Sequence, residues 1–342
     1  MHRPGLLPAV LVACLATHAG AQPPPSGSQV AGPLAAWSSP HGVPVTTGRR
    51  INLVCMGQGS PTVILSAGAA AWSISWYKVQ PAVARTTRVC SWDRAGNGFS
   101  DASPEPQDIV HIEADLEQAL QAGGVTGPLV LVGHSQGGLE SLLFADRNPG
   151  RTKGLVLVDP ANPDQQERLH RAAPNLMAYS DRSDLKGFAS VRQCVDALKA
   201  KPQGDTPPPC AAQRAGYPKP IREALSAWTR DPAYWRTYLS DFEQRDRNAK
   251  LAINPRRNYG TTPMVVLGSG VLAIPGAPPD VLKEIPAVQA EIERGHRDLA
   301  ALSSRASYVR VPDSGHAIML QKPGVVIEAI ERVVAEARNA AP

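Results

Sequence analysis

The chain has 342 residues, 43% of them hydrophobic, and 35 basic against 30 acidic side chains give a formal net charge of +5. That is a globular composition, long enough for one large domain with an insertion or for two modest ones. The basic residues are scattered, with only pairs such as Arg49-Arg50 and Arg256-Arg257, so no phosphate-tracking stripe exists and no nucleic-acid partner is expected.

The first residues read as an export signal. His2 and Arg3 supply a positive start, residues 6–15 are mostly apolar, and Ala19-Gly20-Ala21 is a small-residue cleavage site. Residues 1–21 are therefore expected to be removed, leaving a mature chain from Gln22 that is periplasmic or secreted. Leu11-Val12-Ala13-Cys14 also resembles a bacterial lipoprotein box, which offers lipid anchoring through Cys14 as the alternative. No later segment approaches the ~20 apolar residues of a transmembrane helix. Residues 22–47, rich in Pro, Gly and Ser, read as a mobile leader or an edge arm.

Without Cys14, four cysteines remain in an oxidising compartment, and the expected bridges are Cys55–Cys90 and Cys194–Cys210. The second closes a short Pro-rich loop; buried free thiols are the alternative for the first. None of the four has C-x-x-C spacing, so a zinc site is not expected.

From residue 48, apolar runs alternate with helical patterns. Strands are expected over 51–55, 62–65, 89–92, 129–132 and 154–158, with helices over 75–84 and 109–122, the latter stopped by Gly123-Gly124. Such alternation predicts an α/β fold, a mostly parallel sheet covered on both faces. It breaks after Pro160. Residues 161–262 are polar, carry Trp228, Tyr234, Trp235 and Tyr238, and have helical spacing without good strands, which reads as a helical lid. The core, 48–160, resumes over 263–342 with strands at 264–267 and 307–311 and helices over 287–302 and from Pro323 onward.

The most informative segment is Leu129-Val130-Leu131-Val132-Gly133-His134-Ser135-Gln136-Gly137-Gly138, an apolar strand running into a glycine-flanked serine and then a helical pattern. It reads as a nucleophile elbow, in which a sharp turn lifts Ser135 clear of the sheet and aims the Gln136 N–H at a developing oxyanion. A serine hydroxyl needs a base, and His316, in Asp313-Ser314-Gly315-His316 past the last strand, falls at the same carboxyl edge. Asp159 caps the strand 154–158 at that edge and is the candidate for orienting the imidazole. After strand 264–267 the segment Gly268-Ser269-Gly270-Val271 offers no carboxylate; Asp280 is the first acid beyond it, and Asp313 is too close to His316 in sequence. The second oxyanion donor is expected from Ser66-Ala67-Gly68-Ala69, as the N–H of Ala69. His134 is expected to pack against or polarise the elbow, while His41, His111, His170 and His296 follow no strand end.

These residues carry a family resemblance: the chain resembles the α/β-hydrolase superfamily. Besides the elbow, Trp92-Asp93-Arg94-Ala95-Gly96-Asn97-Gly98-Phe99-Ser100 is similar to that superfamily's Asp-Arg-x-Gly-x-Gly-x-Ser turn, residues 155–160 to its sixth strand, and Ser314-Gly315-His316 to its terminal histidine loop. The resemblance implies an eight-stranded sheet, a cap between strands six and seven, and no cofactor. This chain departs from it in lacking the acid usual after strand seven.

The function expected is an exported serine hydrolase that cleaves a carboxylic ester or related acyl bond of a small molecule through an acyl-enzyme on Ser135, with Asp159, His316, Gln136 and Ala69 in the roles above and neither metal nor cofactor. Serine at the elbow argues against the haloalkane dehalogenases and epoxide hydrolases of the superfamily, which use aspartate there. Amidase or peptidase, acyltransferase and cofactor-free haloperoxidase-like activity are the enzymatic alternatives. A catalytically silent ligand-binding protein of the same fold is the alternative from another class. The lid's aromatic residues point to a partly apolar acyl or aromatic substrate group, with packing inside the lid as the alternative.

Overall fold

The computed structural model describes residues 34–201, 206–213, 216, 218–274 and 276–339. The export signal over 1–21, the anchor alternative at Cys14 and the first part of the leader lie outside them. Eight strands, β1 (Gly42–Pro44), β2 (Arg50–Met56), β3 (Thr62–Ser66), β4 (Val89–Trp92), β5 (Leu129–His134), β6 (Thr152–Val158), β7 (Met264–Ser269) and β8 (Ala306–Val311), form one sheet in the order β1-β2-β4-β3-β5-β6-β7-β8. β1 and β2 are antiparallel to their neighbours and every other pair is parallel.

The central strands are continuous apolar runs because both faces are covered. Along each strand successive side chains point to opposite faces. Ile64, Leu129, Leu131, Leu155, Leu157 and Met264 share one core with Ile112 and Leu116 of the helix Ile109–Ala122. Val63, Val130, Val132, Val156, Val158 and Val265 pack on the other face against Val326, Ile330 and Val333 of the C-terminal helix Pro323–Asn339. Asp108 caps the helix Ile109–Ala122 by accepting from the N–H groups of Val110 and His111, and Gly124, at φ 66°, follows its end.

One local expectation changes, and one alternative is decided. The helix expected over 75–84 is a 3₁₀ turn, Ser73–Trp76, followed by the single helical turn Gln80–Val83, since Pro81 has no N–H to continue a longer ladder. The last part of the leader takes the edge-arm alternative, with Gly42–Pro44 as the edge strand, and Trp37 is buried in one cluster with Val54, Trp72 and Phe99.

Among the described residues, seven helices lie between β6 and β7, including the long helix Pro174–Ala200 and the helix Pro232–Glu243. Both cysteine pairs are bonded. Cys55 and Cys90 face each other directly across the β2/β4 ladder, and Cys194–Cys210 ties the long helix to the helix Pro208–Gln213. No described helix is long and apolar enough to cross a membrane.

Candidate active site

β5 ends at His134, and the next residue, Ser135, sits at φ 53° and ψ −120° before the helix Gln136–Arg147 begins. Bulky neighbours cannot fit this turn: a Cβ on Gly133 would collide with the Gly137 carbonyl, and one on Gly137 with the Ser66 carbonyl. The Ser135 N–H donates to the Val158 carbonyl at 3.2 Å, while the Ser135 carbonyl accepts from Gly138 and Ala161, so the turn is fastened to β6 and to the segment beyond it. Among the described residues only three non-glycines have positive φ: Ala70, Ser135 and Asp159. All three follow strand ends at the carboxyl edge of the sheet, and backbone strain of this kind collects at functional sites.

Asp159, the residue after β6, is 6% exposed. Its Oδ1 accepts from the Ser269 N–H at 2.7 Å and its Oδ2 from His316 Nδ1 at 2.6 Å. Burial opposes the ionised form. The hydrogen bond and charge of His316, the charge of His296 and the Ser269 N–H outweigh it and hold the carboxyl at about 2. With Nδ1–H given to Asp159, His316 is left with Nε2 as the basic nitrogen. Asp280, on the helical turn Pro279–Leu282, and Asp313 are both exposed. The end of β7 thus supplies a backbone donor to the Asp159 carboxylate where an acid is usual.

Among the described residues Ser135 Oγ has no hydrogen-bond partner, so no bond links it to His316. His316 is nonetheless fastened beside the elbow, because His134 Nε2 donates to its carbonyl at 3.0 Å and the two rings lie 4.5 Å apart. Burial, with the nearby His316, takes the His134 ring down to about 3, so it is neutral. Sequence reasoning missed His296. It lies on the helix Ile285–Ala300, 2% exposed, with Nε2 3.1 Å from the Pro160 carbonyl and 3.9 Å from Asp159 Oδ1, and burial lowers its proton affinity. His111 and His170 pair with Asp108 and Asp181, and His41 lies 3.1 Å from the Ala36 carbonyl.

The loop after β3 packs against the elbow so closely that a Cβ on Gly68 would stand 2.8 Å from His134 Nδ1 and 3.2 Å from Ser135 Cβ. The N–H groups of Ala69 and Gln136 have no acceptor among the described residues. No three metal-ligating side chains are grouped among the described residues. Tyr234, Trp235 and Tyr238 of the insertion are buried with Val191, Cys194 and Cys210, with Ala70 of the loop after β3 packed against them, and Trp228 packs edge-on to Phe99 at 5.2 Å.

Residues 61–192 match the model of the family described as "alpha/beta hydrolase fold". An AB hydrolase superfamily protein of Gibberella zeae is 25% identical over 300 residues, covering 80% of this chain and 86% of that protein. An uncharacterized protein of Schizosaccharomyces pombe is 43% identical over 81 residues, 24% of this chain and 15% of its own length. The matches to the first three curated relatives span 15%, 42% and 39% of those proteins. In fold, the chain is similar to a thermophilic esterase of Thermogutta terrifontis, with a TM-score of 0.53 and 21% identity over 86% of this chain and 97% of the other. Residues 61–192 thus match the α/β-hydrolase family, and the chain has the α/β-hydrolase fold.

Proposed function

We propose that this chain is a serine hydrolase acting on an ester or related acyl bond of a small molecule. The observation that carries the reading is the 2.6 Å bond from His316 Nδ1 to Asp159 Oδ2, made beside a serine held in a strained strand-to-helix turn. In this reading His316 Nε2 takes the Ser135 proton as Oγ attacks the carbonyl carbon. The N–H groups of Gln136 and Ala69 hold the resulting oxyanion. His316 then protonates the leaving group, and in the second half it deprotonates the water that frees the acyl group from Ser135. Asp159 keeps the imidazole in the required tautomer and stabilises the imidazolium. Residues 48–160 and 263–342 form the catalytic core and 161–262 the cap.

The solved neighbours of this fold include an esterase and epoxide hydrolases, which agrees with a hydrolase, and the acyl reading rests on the site itself. Two disulfides support an oxidising, exported location. A panel of p-nitrophenyl esters of rising chain length, run beside aryl amides, aryl thioesters and an alcohol acceptor, tests the proposal. Ester turnover that disappears in Ser135→Ala supports it. Turnover that survives in Ser135→Ala, or no turnover of any acyl compound by the folded protein, refutes it.

A further inference from the structure

The elbow, the loop after β3 and the cap meet in one buried polar cluster. Arg94, just past β4, is 3% exposed. Its Nε donates to Glu140 Oε1 at 2.6 Å, its Nη1 to the Gly68 carbonyl at 2.9 Å, and its Nη2 to the Ala67 carbonyl. Glu140 stands one turn beyond Gln136 on the elbow helix. Gln136 Nε2 donates to Asp241 Oδ1 at 2.6 Å and reaches Glu140 Oε1 at 3.4 Å. Asp241 comes from the helix Pro232–Glu243 of the insertion and is 1% exposed.

Burying two carboxylates around one guanidinium is costly, and an apolar contact of equal volume would seat the insertion as firmly. Burial holds both Glu140 and Asp241 above the usual carboxylate range, and Glu140 Oε2 and Asp241 Oδ2 have no hydrogen-bond partner among the described residues. What the cluster supplies is direction. A peptide unit is planar and trans, so the Gly68 carbonyl and the Ala69 N–H point opposite ways in one plane. Fixing that carbonyl with the rigid Arg94 fork aims the Ala69 N–H away from Arg94. On the other side, Asp241 and Glu140 hold the side chain of Gln136, whose own N–H is the second donor.

Resting on the acyl-transfer reading above, we propose that Arg94 and Asp241 are positioning residues for the oxyanion hole. Arg94 orients Ala69 through the Gly68 peptide, and Asp241 anchors Gln136, so the hole is complete only with the cap seated.

The test measures kcat and KM for p-nitrophenyl butyrate together with the rate at which a fluorophosphonate labels Ser135. Asp241→Ala is expected to lower kcat and the labelling rate together by about 10- to 100-fold with KM within about threefold, because only the charge-bearing state loses support. Asp241→Asn, whose amide oxygen still accepts from Gln136, is expected to stay within about threefold of wild type. Thr237→Val removes a different contact between the insertion and the core, the hydrogen bonds of Thr237 Oγ1 with Ser103, and is expected to leave kcat unchanged. If Asp241→Ala does not fold, Gln136→Met removes the same bond from the other side and is expected to show the same paired loss. Unchanged kcat and labelling in the variant that folds, a rise in KM alone, or equal losses in Thr237→Val would overturn the inference. Failure of the wild type to label at Ser135 would instead refute the hydrolase reading itself, so the two failures are distinguishable.

Discussion

His316 and Asp159 lie 157 residues apart in the chain yet share a 2.6 Å hydrogen bond, and the carboxylate that accepts it is also held by the Ser269 N–H at 2.7 Å. Two donors on one carboxylate fix its plane, and with it the plane of the imidazole. Asp159→Asn keeps the shape but offers His316 an amide, which leaves Nδ1 free to take the wrong tautomer. Loss of kcat by about 10⁴-fold is expected, by analogy with the same substitution in serine protease triads. Asp280→Asn, at an exposed position, is expected to stay within about twofold. The reverse ranking in ester turnover would move the acid assignment.

The same carboxylate links acidity to stability. Asp159 is held at about 2 in the folded chain against roughly 3.9 in an unfolded one, so below neutrality the unfolded state binds the proton more readily. The stabilisation this implies, about 3 kcal/mol, is fully present above roughly pH 5 and is lost as the pH falls through about 2. Urea midpoints for wild type and Asp159→Asn should differ clearly at pH 6 and converge as the pH falls toward 2. A difference that stays constant over this range would show that the carboxylate's charge contributes nothing to the fold.

The Cys194–Cys210 bridge spans 16 residues and sits in the apolar core of the insertion with Trp235 and Tyr238. Closing a loop of that length stabilises the fold by about 3 kcal/mol in the chain-entropy account. The double variant Cys194→Ala, Cys210→Ala is expected to unfold at lower urea and to be cut first by protease within the insertion. An unchanged midpoint and cleavage pattern would mean that packing alone holds this part together.

How far the sequence announces the molecule depends on how local each signal is. The sheet was legible because Leu129, Val130, Leu131 and Val132, like Leu155 to Val158, are uninterrupted apolar runs that only a doubly covered strand explains. Ser135 and Asp159 were legible as positions for the same reason, since Asp159 follows such a run directly and Ser135 follows one after Gly133 and His134. Arg94 was visible within a motif, but its partners were not: Glu140 is 46 residues away, and Asp241 is 105 residues from Gln136. Nothing near Asp241 in sequence separates it from the solvated acids of the same insertion. His296 was hidden in an amphipathic helix among charged residues such as Arg294, Arg297 and Asp298 that are exposed, and the strand Gly42–Pro44 is too short to show a period.

Reaction with a fluorophosphonate probe, followed by peptide mapping, tests the central claim most directly, because the adduct forms only on a serine with a working base and oxyanion hole. The account predicts one adduct, on Ser135, absent in Ser135→Ala and slowed by at least about 10³-fold in His316→Ala. A folded wild-type chain that forms no adduct, or carries it on another residue, would contradict it.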